Sequence, residues 1–98
     1  MIKISIKEEN NKIKEIIIKG HALYDDFGKD IVCAAVSSIV TTTINGILSI
    51  DKDAISYDEN IFKIEVLKED SITNKLLVNM INLLTELAKE YPKNIKFL

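Results

Sequence analysis

The chain contains one histidine and one cysteine, His21 and Cys33, which lie twelve positions apart. Asp30 stands between them, and two of the three glycines, Gly20 and Gly28, belong to the same stretch. A thiolate is a strong nucleophile, and an imidazole within hydrogen-bonding reach takes up the thiol proton and passes it to a leaving group. These residues could therefore form a Cys–His dyad that cleaves an amide bond through a covalent intermediate.

The chemistry of Cys33 depends on where its helix begins. Apolar residues recur with a helical period from residue 30 onward, and Asp30 is a favourable N-cap, which would put Cys33 in the first turn. A helix end contributes only about 0.3–1 kcal/mol of the roughly 2 kcal/mol that a thiolate needs at neutral pH. A second cation is required, and the imidazolium of His21 is the candidate. The backbone N–H groups of residues 32–34 are candidate oxyanion donors.

Structural interpretations of the same residues compete with this chemistry. A lone cysteine on an apolar helix is most often a small buried hydrophobe, and composition alone favours that interpretation for Cys33. His21 could simply end a strand, and Asp30 could be a helix cap and nothing more. Ser37, one turn after Cys33, could bond back to the carbonyl four residues earlier instead of serving as a second nucleophile.

The composition excludes several classes of function. The 98 residues carry 13 Lys and no Arg against 15 acidic residues, which gives a net charge of −2. Nucleic-acid-binding modules rely on basic surfaces with Arg and stacking aromatics, so we expect no direct nucleic-acid partner. Cys and His residues number two in total, too few for a zinc or iron–sulfur site. A carboxylate metal site stays open, but no Asp-x-Asp-x-Asp-Gly or His-Glu-x-x-His motif supports one, so we expect no metal and no cofactor.

The sequence also predicts the compartment. The first residues alternate apolar and charged side chains, unlike a signal peptide, and no stretch approaches the roughly 18 apolar residues of a membrane-spanning helix. We therefore expect a cytoplasmic protein with no membrane partner, in which a lone cysteine stays reduced.

Hydrophobic periodicity predicts a single α+β domain over residues 1–98. Period-two alternation predicts strands, and apolar residues three and four apart predict helices. The predicted strands are 2–7, 13–19, 55–57, 61–67 and 94–98, and the predicted helices are about 30–48 and 71–90. The order is ββαββαβ, with two helices packed on a largely antiparallel sheet.

Three finer expectations concern the second strand, the last strand and the second helix. Ile16, Ile17 and Ile18 are consecutive, which predicts that the second strand is interior and covered on both faces. The last strand is short and is expected at an edge of the sheet. Ser71 is the expected N-cap of the second helix.

Two short motifs surround the histidine and the cysteine. They are the triplet Gly20-His21-Ala22 and the block Gly28-x-Asp30-Ile31-Val32-Cys33-Ala34-Ala35-Val36-Ser37. Together they resemble the signature of the ribosomal-processing cysteine protease family, Prp (YsxB-like). Glu90-Tyr91-Pro92-Lys93 is similar to the family's segment after its last helix. The resemblance covers most of the chain and is concentrated in residues 20–37.

The resemblance implies a cytoplasmic cysteine endopeptidase, usually homodimeric, that serves ribosome assembly. Its substrate would be a ribosomal large-subunit protein, the twenty-seventh in the standard naming, whose short N-terminal extension is removed by a cut after a Phe-Phe pair. By the motif, Cys33 matches the nucleophile and His21 the general base. Gly20 matches the hinge of a loop that closes over substrate, and Ser37 matches a position lining the site. Asp30 matches the acidic position beside the cysteine, where it either orients His21 or caps the helix.

The loop between the two motifs departs from the family pattern. Leu23-Tyr24-Asp25-Asp26-Phe27 is bulkier and more acidic than the small residues of the family. An acidic rim would attract a basic ribosomal protein, although Asp25-Asp26 fits a solvated loop tip better than a site. Tyr24 and Phe27 could line an apolar pocket for the Phe-Phe pair or could serve the loop's own packing.

A non-catalytic function is the alternative. In that case the chain is a ribosome-associated dimerising module in which Cys33 is inert core. An RNA-contacting assembly factor is a third possibility, against which the negative charge and the missing Arg argue.

Overall fold

Alternating isoleucines form the central hairpin of the molecule. The computed structural model describes residues 1–26 and 30–98, and its first two strands are β1 (Ile2–Glu9) and β2 (Lys12–Lys19). Asn10 and Asn11 connect them with φ values of 54° and 63°. Two successive positive φ values define a tight hairpin turn that matches the twist of the strands, and asparagine tolerates them. The strands are therefore longer, and the link shorter, than the sequence predicts.

The remaining elements complete one five-stranded sheet with two helices. They are α1 (Ile31–Ile50), β3 (Ile55–Asp58), β4 (Lys63–Val66), α2 (Ser71–Glu90) and β5 (Ile95–Phe97). The strand order is β3-β4-β2-β1-β5, and only the β1–β5 pair is parallel. The predicted α+β class, the ββαββαβ order and the edge position of the last strand are confirmed.

Strand β2 is interior but is not covered on both faces. Ile16 is fully buried and Ile18 nearly so, and both belong to the core that the helices complete. Ile17 points to the other face, where it pairs with Ser5 of β1 and Lys63 of β4 and is only partly buried. The prediction from three consecutive isoleucines is thus wrong for one face, because the helices form a single layer.

Helix α1 forms despite its many β-branched residues. Its buried residues recur every three or four positions: Val32, Val36, Val40, Ile44 and Ile47. Burial of this row outweighs the weak strand preference of β-branched side chains. By length and composition α1 would also be able to cross a membrane, so the expectation that no stretch of the sequence is apolar enough is wrong. Its buried row packs in the core of the domain.

Helix α2 begins at the expected residue but with a different cap. The side chain of Asp70, not Ser71, accepts the backbone N–H of Ile72 at 2.9 Å. The second carboxylate oxygen of Asp70 accepts the hydroxyl of Thr73 at 3.2 Å. A carboxylate satisfies two donors at once, which a serine hydroxyl does less well. The buried face of α2 consists of Thr73, Leu77, Met80 and Leu84.

The two faces of β2 lead to a stability prediction with a matched control. Ile16→Ala should lower the free energy of unfolding by about 2–5 kcal/mol, because it leaves a cavity in the core. Ile17→Ala, one residue away on the open face, should cost only about 1 kcal/mol. Urea denaturation of both variants measures the difference. Equal losses would contradict the one-sided helix layer.

Candidate active site

Asp30 fixes the start of α1 and thereby the position of Cys33. Its Oδ1 accepts the backbone N–H groups of Val32 and Cys33, each at 3.0 Å. These two bonds satisfy donors that the first turn of a helix otherwise leaves unpaired. Cys33 is therefore the third residue of α1, as the sequence predicts, and its side chain is partly buried.

The same cap removes the oxyanion donors that the sequence suggested. The N–H groups of Val32 and Cys33 are held by the carboxylate of Asp30, and the N–H of Ala34 donates to the Asp30 carbonyl at 3.1 Å. All three amides of residues 32–34 have partners within the chain. The expectation that they would stabilise an oxyanion is wrong for this arrangement.

A different amide faces the sulfur. The backbone N–H of Ala22 donates to Cys33 Sγ at 3.2 Å, across eleven residues of sequence. Ala22 is 1% exposed, so this contact lies at the inner wall of the site. It brings the residue that follows His21 directly onto the candidate nucleophile.

All five predicted site residues line one hollow of about 510 Å³. They are Gly20, His21, Asp30, Cys33 and Ser37. His21 is exposed at this hollow, and within residues 1–26 and 30–98 no hydrogen bond joins it to Cys33. The structure therefore assembles the candidate residues around one space without a preformed Cys–His hydrogen bond.

Ser37 leaves its hydroxyl available to that hollow. It does not make the bond to the carbonyl of Cys33 that a purely structural role would suggest, whereas Thr43 makes the equivalent bond to Ile39 at 3.0 Å. Ser37 is exposed and belongs to a second hollow as well.

Asp30 caps the helix, and within residues 1–26 and 30–98 no hydrogen bond joins it to His21. Its second oxygen, Oδ2, accepts the backbone N–H of Tyr24 at 3.0 Å, which ties the loop after His21 to the start of α1. Loss of hydration raises the pKa of Asp30. Hydrogen bonds from the backbone N–H groups of Cys33, Tyr24 and Asp25 and from the Cys33 thiol outweigh that effect, so this pKa lies below its ordinary value.

Gly20 is required by a close backbone contact. Its φ is +92°, and a Cβ at this position would collide with the carbonyl oxygen of Met1. Only glycine combines that conformation with that approach at low cost. The end of β2 thus passes tightly beside the start of β1 before the chain reaches His21.

Phe62 is a site residue that the sequence analysis missed. The sequence places it in a strand, but β4 begins only at Lys63, and Phe62 lies in the preceding turn with φ +45°. There it lines the hollow of Cys33 and also the second hollow of about 470 Å³. The sequence signal is its place two residues after the turn residues Asp58-Glu59-Asn60.

Tyr24 has the packing role that the sequence left open for it, not the pocket role. Tyr24 packs edge-to-face on Tyr91 with ring centroids 5.3 Å apart, and it does not line the hollow. Phe27, the other predicted pocket residue, lies outside the described residues, as does Gly28 of the second motif.

The part of the chain that the structure describes has no cluster of three or more His, Cys, Asp or Glu side chains able to hold a metal ion. What the hollow offers is a thiol, an imidazole and apolar walls. That combination suits nucleophilic attack on an acyl group.

Comparison with known sequences gives one consistent result. A sequence model of the family described as cysteine protease Prp matches residues 1–96. The ribosomal processing cysteine protease Prp of Staphylococcus aureus is 28% identical over 100 residues, which cover 97% of this chain and 93% of that protein. The protein of the same name from Mycoplasma genitalium is 42% identical over 60 residues, covering 61% of this chain and 52% of that protein.

A solved structure is similar over the whole fold. It is the crystal structure of an essential ribosomal processing protease Prp from S. aureus in complex with a covalently linked product peptide. The TM-score is 0.82 at 28% sequence identity, and the superposition covers 99% of this chain and 97% of that chain.

The lowered pKa of Asp30 predicts a specific pH dependence of stability. The folded state favours the ionised carboxylate more strongly than the unfolded chain does. The contribution of Asp30 to the free energy of unfolding is therefore complete above about pH 5 and is lost as the pH falls through the lowered pKa. Asp30→Asn keeps a capping oxygen but cannot titrate. The stability advantage of the wild type over this variant should be constant from about pH 5 to 7 and shrink toward pH 3, as measured by urea unfolding. An advantage that does not change down to pH 3 would contradict this assignment.

Proposed function

The chain belongs to the cysteine protease Prp family, and we propose that it removes the short N-terminal extension of a ribosomal large-subunit protein, the twenty-seventh in the standard naming, by cutting after a Phe-Phe pair. Cys33 is the nucleophile and His21 the general base in this proposal. The observation that carries it is the hollow shared by these two side chains at the start of α1. The peptide linked covalently to the S. aureus relative supports a covalent intermediate.

In the first step the thiol proton of Cys33 passes to His21. The sulfur attacks the carbonyl carbon of the second Phe, forming the S–C bond and a tetrahedral oxyanion. When this intermediate collapses, the C–N bond to the next residue breaks, and the imidazolium of His21 gives its proton to the leaving amine. The mature ribosomal protein departs with a free N-terminus, and the extension remains as a thioester on Cys33.

In the second step water hydrolyses the thioester. His21 takes a proton from the water, whose oxygen attacks the acyl carbon. The S–C bond then breaks, and the proton on His21 returns to the sulfur of Cys33. The cycle consumes one water for each peptide bond and needs no cofactor.

Proton transfer requires contact between His21 and Cys33, and no hydrogen bond joins these two side chains in the structure without substrate. Catalytic hydrogen bonds are often long before substrate binds and tighten in the complex. His21 is exposed, so its ring has room to reorient toward Sγ within the hollow. Bound substrate would exclude water from that space and favour the contact.

The shape of the surface beside Cys33 suits an extended peptide. The two hollows share Ser37 and Phe62 as lining residues, so they lie next to each other along α1, and together they make a groove that reaches Leu48. Phe62 offers an aromatic surface between the hollows, where a Phe side chain of the substrate can pack. Tyr57, from the edge strand β3, lines the far part of the groove.

Charge at the groove fits a basic substrate. Asp25 lines the first hollow and Glu59 the second, and the chain as a whole carries −2. Ribosomal proteins are rich in Lys and Arg, which bind nucleic acid through the phosphate backbone. Acidic groups at the rim would raise the local concentration of such a substrate.

The proposal includes a cytoplasmic homodimer, as the resemblance implies. Ile72 and Leu83 of α2 lie three turns apart on one line of the helix and are 53% and 42% exposed. Exposed apolar residues on one face are typical of subunit interfaces. We expect these two residues to contribute to the dimer contact.

Cys33→Ala and His21→Ala should each abolish cleavage of a peptide that spans the extension, with losses of about 10³-fold or more. Cys33→Ala removes the atom that forms the covalent bond, and His21→Ala removes the proton acceptor. Mass spectrometry of the peptide products measures the rates, and thermal melts check that both variants are folded. Undiminished turnover by Cys33→Ala would overturn the proposal.

Alkylation separates the protease from an inert dimerising module. A reactive thiol of the native protein is modified by iodoacetamide near neutral pH, and the reaction slows in His21→Ala. An inert core cysteine resists the reagent until the protein unfolds. Modification of Cys33 only in denaturant would favour the non-catalytic alternative.

Phe62→Ala should raise KM for the Phe-Phe peptide by about tenfold, since a lost aromatic pair is worth about 0.5–1.5 kcal/mol beyond area burial. The adjacent Ile61 is 51% exposed and does not line either hollow, so Ile61→Ala is the matched control. Steady-state kinetics with the same peptide compare the two variants. Equal KM values in both would argue against substrate contact at Phe62.

A further inference from the structure

Asn94 connects the far end of the chain to the candidate active site. It lies between α2 and β5, and its side-chain Nδ2 donates to the carbonyl oxygen of Ala22 at 2.8 Å, across 72 residues of sequence. Its own carbonyl accepts the N–H of Ile2 at 2.8 Å, and its backbone N–H donates to the carbonyl of Tyr91 at 2.9 Å. Asn94 is therefore held by the end of α2 and the start of β1, while its side chain binds the carbonyl of Ala22.

Ala22 is bonded at both of its backbone polar groups. Its carbonyl is held by Asn94, and its N–H donates to Cys33 Sγ at 3.2 Å. The hydrogen bond to the carbonyl and the burial of the side chain both limit where this residue can lie. The direction of the N–H toward the sulfur thus depends on a side chain that does not itself touch the sulfur.

This N–H has no substitute among the neighbouring amides. The amides of residues 32–34 are all engaged by Asp30, so among the described residues the Ala22 N–H is the backbone donor that faces the sulfur. The contact therefore holds the sulfur at the inner wall of the hollow. His21 precedes Ala22 directly, so the same restraint also limits where the imidazole can lie.

A second contact from the same turn reinforces the first. Tyr91 is the C-cap of α2, and its ring packs edge-to-face on the ring of Tyr24 with the centroids 5.3 Å apart. The segment after α2 therefore holds the loop after His21 at two points, Ala22 and Tyr24. Leu23 between them has φ +57°, a conformation that a leucine adopts only when its surroundings impose it.

We propose that Asn94 is a positioning residue of the active site, which holds Ala22 so that its N–H stays on the sulfur of Cys33 and His21 stays beside it. The inference rests on the proposed Cys33–His21 chemistry. Asn94 touches neither substrate nor sulfur, so its effect should appear in the reactivity of Cys33 and in kcat, with little effect on KM.

Asn94→Asp is the decisive variant, because the carboxylate has nearly the same shape but cannot donate to the Ala22 carbonyl at neutral pH. The matched control is Asn74→Asp. Asn74 also bridges distant elements, but its side chain accepts the N–H of Ile13 at 3.0 Å, and a carboxylate can still accept that bond. Both variants therefore add one charge at a partly buried asparagine, and only one loses its hydrogen bond.

Three readouts are compared: kcat and KM with the extension peptide, the rate of Cys33 alkylation by iodoacetamide at pH 7, and the melting temperature. We expect Asn94→Asp to lower kcat by between about tenfold and a hundredfold and to slow alkylation severalfold, with KM changed by less than about threefold. Asn74→Asp should match the wild type in kcat and in alkylation. If the added charge prevents folding, Asn94→Ala carries the same expectation.

Wild-type kcat and wild-type alkylation in a folded Asn94→Asp or Asn94→Ala would overturn the inference. Parallel losses in the Asn94 and Asn74 variants would also overturn it, since they would indicate a general effect on stability. Failure of the wild type to cleave the peptide would count against the proposed substrate alone, because alkylation of Cys33 does not depend on that substrate and still compares the variants.

Discussion

The site depends on the hydrogen bonds that the carboxylate of Asp30 accepts. It closes the first turn of α1 by accepting two amides with one oxygen, and with the other oxygen it holds the loop that follows His21. The position of the sulfur and the path of the loop are therefore set by one side chain. The same bonds make those amides unavailable to substrate. The backbone amide that donates to the sulfur is that of Ala22.

The sheet supplies the other fixed points. Gly20 lets the end of β2 pass against the carbonyl of Met1, and Asn94 joins the start of β1 to Ala22. Ala22, whose N–H contacts the sulfur, is thus anchored through Asn94 to the start of β1 and the end of α2. On the open side, α1 presents three small side chains four residues apart, Cys33, Ser37 and Thr41. Because these side chains are small, the space above them stays open as the groove. Rigid anchoring and small side chains together leave an open surface beside the sulfur of Cys33, where we propose that the peptide binds.

The sequence predicts the elements better than their faces and contacts. Period-two and period-3.6 patterns are local, so the seven elements and the Asp30 cap follow from neighbouring residues. The half-open face around Ile17 does not, because it depends on both helices lying on one side of the sheet. Neither does the replacement of Ser71 by Asp70 as the cap of α2, since both residues are good caps and only geometry decides between them.

For the site, the motifs identify which residues to consider, and the fold determines how they are connected. The five predicted residues line one hollow, but Phe62 joins them through a turn conformation, and Asn94 joins them across 72 residues. A hydrogen bond between such distant positions leaves no periodic or local trace in one sequence. The segment that resembles the family's sequence after its last helix, Glu90 to Lys93, ends directly before Asn94.

The central claim is that the sulfur of Cys33 carries the acyl group during cleavage, and direct detection of that intermediate tests it. The protein is mixed with the extension peptide, quenched in acid during turnover, and analysed by intact-mass measurement and peptide mapping. We predict a population heavier by the fragment on the N-terminal side of the cut, attached to Cys33 and lost on further incubation at neutral pH. Steady cleavage with no adduct, or an adduct on another residue, would contradict the claim.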